Sequence, residues 1–441
     1  MEDIVIDENT YNDFFKTITS LQALAILFVM FTHWALAVEL PKEFLWFAIC
    51  YIGEFAFVIF IFLSGFLLNM KKTLEKNQKS LWGRWYKRRI IRIYPGLILS
   101  TLMLILAISL LYFTLSSYRN LNFYLIHISG FQSIPINPYF YSVNFVHWFI
   151  TLIIVCYLFF PLFHYLIKKN VKIVLISAII LYINYVIFFD PFVDFSQKIV
   201  KITLYQDLNI FYYTLFVPNI FVLLFGMILG YWIGESNMEN IEILRNSKIQ
   251  MFSFVLLIIL LILYLLILNF SLLGYARIIF YPLIGIVLIF FGISTFKNKD
   301  RFNKVLEFPG KNSYALILVH YIPLLINNYL ILEYFKLKII DYWYISIPFI
   351  IGSSFLLAIP VTYFGEFIKT HEKYHYSLIL IVVSLIIYTA ISLILILYYY
   401  IFLIYTFTIV IFLSILIIII LIFKKYGMRE KILFENSNNQ N

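Results

Sequence analysis

The sequence predicts an all-α fold, a polytopic bundle of membrane helices, and three observations predict it. Apolar residues make up 63% of the chain and charged residues only 13%, against about 45–50% and about 25% in a soluble domain. The apolar residues gather in runs of the length that crosses ~30 Å of hydrocarbon at ~1.5 Å per residue. The basic residues fall mostly between alternate runs. A water-soluble core of this size has no room for that much apolar surface, so the bilayer is the expected partner of most side chains.

About twelve membrane helices are expected, over residues 18–38, 45–69, 90–115, 146–167, 172–189, 211–234, 250–270, 273–296, 312–333, 340–366, 376–396 and 398–423. The first follows the acidic stretch MEDIVIDENTYNDFFK, which lacks a basic n-region and is not expected to be a cleavable signal peptide. The charged stretch 70–89 precedes the third, and its RWYKRR segment reads as an amphipathic interfacial helix. The longest loop on the opposite side, 116–145, carries Pro135, Pro138 and many aromatics and reads as a re-entrant segment lying over that face. The fourth helix opens with His147 and Trp148, residues that an aromatic belt at the membrane interface accommodates. Almost nothing polar marks the breaks at 270–273 and near 397.

With the N-terminus inside, 26 of the 33 Lys and Arg residues fall on the inner side and 7 on the outer side. The positive-inside rule then places both termini in the cytoplasm of a multi-pass cell-membrane protein, with loop 116–145 external. The same asymmetry accounts for the net charge of +10 without a nucleic-acid partner. Two cysteines, Cys50 and Cys156, are too few for a disulfide framework or a cysteine zinc site, and no metal is expected.

Against this apolar background the polar residues are informative. His33 lies about fifteen residues into the first helix, ~22 Å from the inner surface, and Gln22 lies eleven residues earlier within ~20° of the same helix face. An ionisable group at depth normally faces a cavity or a partner; a neutral imidazole bonded to a neighbouring helix is the plainer alternative. His320 lies about eight residues into the ninth helix, ~12 Å deep, after Ser313 and Tyr314. Two such histidines point to a shared site. Glu54, in the outer half of the second helix, is placed to pair with His33. Arg88, Arg89 and Arg92 share one helix face and suit a phosphorylated cytoplasmic ligand. Such a cluster also serves as a topology anchor. Ser64 and Gly65 permit close approach of a ligand or of another backbone.

In their order these elements resemble the acyltransferase-3 family of integral membrane acyltransferases. The similarity rests on Leu21-Gln22-Ala23 through His33; on Phe62, Ser64, Gly65 and Phe66; on Arg88, Arg89, Arg92, Ile93 and Pro95; on Trp148, Tyr157 and Pro161; and on Gly310, Ser313, Tyr314 and His320. It implies a ten-helix domain over residues 1–370, with an additional C-terminal helix pair and tail over 371–441. It also implies an enzyme that moves an acyl group, often acetyl, from cytoplasmic acyl-coenzyme A to a hydroxyl of a surface glycan or lipid-linked sugar. On that reading His33, Glu54 and His320 are the candidate catalytic residues. Arg88, Arg89, Arg92, Ser64 and Gly65 would hold the acyl donor, and Gln22, Trp148, Ser313 and Tyr314 would line the substrate path. Gln22 stands where the family pattern has Arg or Lys, and Ile153 where many members have Glu. A non-catalytic member and a polysaccharide export component are the alternatives. Lys16 does not substitute for the missing cation, because seventeen residues leave it ~100° out of phase with His33.

Overall fold

The computed structural model describes residues 8–37, 52–74, 82–112, 125, 127–131, 147–188, 206–236, 240–269, 273–297, 299–330 and 343–400. Its principal helices are α1 (Glu8–Ala37), α2 (Ile52–Leu74), α3 (Trp82–Tyr112), α4 (Trp148–Lys169), α5 (Val171–Ile187) and α6 (Gln206–Glu235). The single turn α7 (Ile241–Leu244) precedes α8 (Ser247–Asn269), α9 (Leu273–Thr295) and α10 (Asp300–Lys311). Then follow α11 (Ser313–Val319), α12 (Tyr321–Asn328), α13 (Trp343–Thr370) and α14 (His375–Tyr400). Among the described residues there is no strand. Helices α1, α3, α4, α6, α8 and α13 are long and apolar enough to cross a membrane, and α2, α5, α9, the α11–α12 pair and part of α14 are shorter apolar helices. The chain is an all-α, multi-pass membrane bundle.

Hydropathy located the helices but misjudged three boundaries. Helix α14 runs through the break expected near 397, and the run 398–423 lies outside the described residues beyond Tyr400. The RWYKRR segment is not a separate interfacial helix. It forms the first turns of α3, which begins at Trp82, so the arginines are rigidly tied to a membrane helix. Helix α1 begins at Glu8 rather than near residue 18. Its polar first turns are held by partners that the sequence does not place beside it. Asp13 pairs with the buried Arg245, Lys16 lies 3.7 Å from Asp300, and Ser20 Oγ donates to Asn303 Oδ1 at 2.7 Å.

Helix α10 lies along this basic end of the bundle. It buries Asn303, Leu306, Pro309 and Gly310 while Phe302, Val305 and Phe308 remain exposed. Gly310 sits directly on the Thr19 backbone, leaving no room for a side chain.

The longest helix pairing, α2 against α6, is set by glycine. A Cβ on Gly65 would lie 2.5 Å from the Leu223 carbonyl oxygen, and Gly226 and Gly230 lie against the Phe62 and Phe66 carbonyls. Lipid offers no hydrophobic drive for helices to associate, so close backbone packing through small residues supplies the attraction. Gly226→Val is therefore expected to destabilise the fold by about 1–3 kcal/mol through overpacking. Gly352→Ala, where nothing lies within 4 Å of the added carbon, should leave the thermal midpoint in detergent unchanged or slightly raised. Equal midpoints for the two variants would contradict the packing assignment.

Candidate active site

The site forms where the end of α1 meets the junction of α11 and α12. Residues on either side of His33 are anchored: Thr32 Oγ1 accepts the Gly53 N–H at 2.8 Å, and Trp34 Nε1 donates to Ser346 Oγ at 3.1 Å. His33 is thereby buried in a fixed orientation. Across from it, Pro323 has no N–H to offer the Val319 carbonyl. The backbone ladder is interrupted there: α11 ends at Val319, α12 starts at Tyr321, and His320, itself in helical conformation, occupies the joint.

Hydrocarbon has no water to satisfy backbone carbonyls, and at this joint the His320 N–H bonds the Leu316 oxygen at 3.1 Å. The His320 ring adds a second donor. Its Nδ1 lies 3.1 Å from the Leu316 oxygen and 3.0 Å from the Ile317 oxygen. Carbonyl oxygens only accept, so Nδ1 carries the proton and Nε2 of His320 carries a lone pair. That lone pair faces His33 Nδ1 at 2.7 Å, and the two rings are nearly parallel, at 7° with centroids 4.9 Å apart. His33 therefore donates from Nδ1, and its basic lone pair sits on Nε2. Two backbone carbonyls fix the tautomer of both rings.

The two histidines share one level, not the separate depths inferred from sequence. The contact of Thr19 with Gly310 provides the common reference. Counted along the chain from it, His33 lies ~21 Å up α1 and His320 ~15 Å up α10–α11, yet their rings meet at 2.7 Å.

A second histidine pair adjoins the first and was not foreseen. His147 Nε2 donates to the Leu318 oxygen at 3.1 Å, and His127 Nε2 meets His147 Nδ1 at 2.8 Å. His147 is only 1% exposed, which corrects its placement in an interfacial belt: hydropathy cannot distinguish a rim position from a buried one at a helix start. Trp148 is buried too, edge-on to Phe57 at 4.9 Å. His127 arrives on a turn buried within the bundle rather than lying over its face. Tyr94 OH donates to the Ser129 oxygen at 2.9 Å and Thr151 Oγ1 to the Gly130 oxygen at 2.6 Å. Gly130 has φ +80° with Ile154 packed on it, a conformation suited to glycine.

The remaining candidates are distributed along the bundle. Arg88 and Arg92 are exposed on the first turns of α3, while Arg89 is half-buried with its guanidinium 5.5 Å from the Trp85 ring and 5.9 Å from the Tyr157 ring. Among the described residues, Arg89 Nε and Nη1 are buried without a hydrogen-bond partner. Ser64 is half-buried, and Gly65 faces the α6 backbone. Ser313 is buried at the start of α11. Tyr314 OH donates to the Ile93 oxygen at 2.7 Å, and its ring closes over Gly96. Gln22 is half-buried on α1. Glu54 lies in α2, but its side chain lies outside the described residues; the hydrogen bond described here for His33 Nδ1 goes to His320. Among the described residues no group of three or more His, Cys, Asp or Glu is placed to hold a metal ion.

The fold is thus a multi-pass membrane bundle with a tautomer-fixed histidine pair at the α11–α12 joint and an arginine cluster on the first turns of α3. The acyltransferase-3 family model, described as an acyltransferase domain, matches residues 15–363, and the chain belongs to that family. Comparisons with curated proteins and with solved structures gave no match.

Tyr314 tests whether packing or substrate contact governs this region. Removing its hydroxyl forfeits one hydrogen bond, so Tyr314→Phe is expected to cost about 0.5–1.5 kcal/mol of stability, read as a lower thermal midpoint with ligand affinity unchanged. Lost affinity at an unchanged midpoint would make Tyr314 a substrate contact instead.

Proposed function

We propose that the protein is an O-acyltransferase that moves an acyl group, acetyl being favoured, from cytoplasmic acyl-coenzyme A to a hydroxyl of a surface or lipid-linked glycan. The observation that carries the reading is the His33–His320 pair, whose geometry leaves a basic nitrogen at a defined atom inside an acyltransferase-3 domain. The unpartnered buried nitrogens of Arg89, with Arg88 and Arg92 beside it, suit the phosphates of the donor, because guanidinium groups bind phosphate in a bidentate fork.

When bound, the thioester supplies an activated acyl carbon and a thiolate leaving group. His33 Nε2 takes the proton of the acceptor hydroxyl as the oxygen–carbon bond forms. His320 Nε2 holds the His33 Nδ1–H throughout and stabilises the imidazolium. As the carbon–sulfur bond breaks, His33 returns the proton to sulfur, leaving an ester and a thiol. A positioned general base typically contributes about 10²–10⁴-fold. Trp148, Ser313, Tyr314 and Gln22 line or shape the path between the two ends, and Ser64-Gly65 and Glu54 belong to the same proposal as donor-side packing and a carboxylate near α1. Gln22, an amide where the family has a cation, favours a second reading: a member that keeps the fold without catalysis.

Membranes given labelled acetyl-coenzyme A separate the two. His33→Ala should lower transfer of label to glycan by about 10²–10⁴-fold with protein level and donor binding intact; unchanged transfer would refute the assignment. Activity absent in the wild type but present in Gln22→Arg would favour the non-catalytic reading. Arg89→Ala and Arg92→Ala should each weaken donor binding ~10–150-fold, the equivalent of a charge-assisted hydrogen bond of about 1.5–3 kcal/mol. Arg92→Lys should recover only part, because the fork is lost. Unaltered donor affinity in folded Arg92→Ala would reduce the cluster to a topology anchor.

The mechanism also needs the arginines inside. With Cys50 and Cys156 replaced, a cysteine at Asn441 should resist an impermeant thiol reagent in intact cells. Its labelling would overturn the orientation.

A further inference from the structure

Two imidazoles, not one, donate to the carbonyls at the end of α11, where the His320 N–H also bonds the Leu316 oxygen. His320 takes those of Leu316 and Ile317, and His147, from a different helix, takes that of Leu318. The next carbonyl, Val319, is the one that Pro323 deprives of a donor. The His147 bond thus links the start of α4 to the joint that presents His320.

The tautomer follows from the acceptor. A carbonyl oxygen requires a proton on His147 Nε2, so neutral His147 has a lone pair on Nδ1. His127 Nε2 lies 2.8 Å from that atom and must donate to it. His127 is itself held by the turn that Tyr94 and Thr151 pin inside the bundle. The chain from Tyr94 and Thr151 through His127 and His147 to Leu318 therefore terminates two residues before His320.

We propose that His147 is a positioning residue for His320: its Nε2–H holds the Leu318 carbonyl at the helix break, and His127 fixes the tautomer that allows it to do so. His147 need not touch the reacting atoms. Its effect is the placement of His320 Nε2 opposite His33 Nδ1. The kinetic consequence rests on the acyl-transfer reading, whereas the structural consequence does not.

The test uses the full-length protein in lipid with His147→Phe, which keeps an aromatic ring but loses the donor, and His147→Gln, which restores an N–H. His147→Phe should lower kcat by about 10–100-fold, as expected for a small displacement of a catalytic group, with donor KM unchanged. His147→Gln should recover most of the loss. In a His320→Ala background His147→Phe should cost nothing further, because residues acting through one another are non-additive; a full additive loss would overturn the proposal.

Independently of activity, nitrogen-15 histidine spectra should show the donor–acceptor coupling between His33 and His320 in wild type and His147→Gln and its loss in His147→Phe. Should His147→Phe fail to fold, His127→Leu should produce the same spectral loss. An intact His33–His320 coupling in the folded Phe or Leu variant would refute the positioning role. Spectra that change as stated, in a protein that transfers no label, would retain this proposal and remove the acyl-transfer reading.

Discussion

A carbonyl oxygen released from its helix in hydrocarbon must find a donor, because an unsatisfied backbone group there costs several kcal/mol. Pro323 creates that requirement in the middle of the bundle. On the turn just before it, the imidazoles of His320 and His147 donate to the carbonyls of Leu316, Ile317 and Leu318. A demand of the fold thereby becomes a chemical specification: each ring that donates to a carbonyl has its tautomer decided, and the lone pair is directed elsewhere. For His320 it is directed at His33, whose own lone pair is displaced to Nε2. The tautomers of the proposed site follow from the backbone carbonyls that the rings bind.

The second constraint is register. Tyr314 OH reaches the Ile93 oxygen, locking α11 to α3, and both helices start at the basic end of the bundle. Arg89 precedes Ile93 by four residues and His320 follows Tyr314 by six, which puts about 15 Å along the bundle between the guanidinium and the histidine pair at ~1.5 Å per residue. Such a separation suits a ligand with an anionic head and a reactive group on a long arm. Helix α1 ties the same two ends together. Asp13 and Ser20 hold its first turns, while Thr32 and Trp34 hold its last.

The all-α class and the order of the described apolar helices were legible because bilayer thickness imposes a length on each apolar run. His33 and His320 stood out because ionisable groups are rare at such depth, and their convergence on one site is present in the structure. Three features were not legible. His127 lies in a segment with no periodicity, so nothing in the sequence brings it inside the bundle. His147 has the position of an interfacial residue in sequence but is buried, since burial depends on the turn that packs over it. The start of α1 was hidden because its polar residues are stabilised by Arg245, Asp300 and Asn303, more than two hundred residues away.

On the proposed function one ligand spans both ends of this frame, with its anionic head on the arginines and its acyl carbon beside His33 Nε2. The most direct measurement is an electron cryomicroscopy map of the protein in lipid with a non-hydrolysable acetyl-coenzyme A analogue. The phosphates are expected on Arg89 with Arg88 and Arg92, and the acyl carbon where a hydroxyl bound about 3 Å from His33 Nε2 would attack it. Phosphates ordered on α3 with the acyl group directed away from the His33–His320 pair would contradict the proposed function.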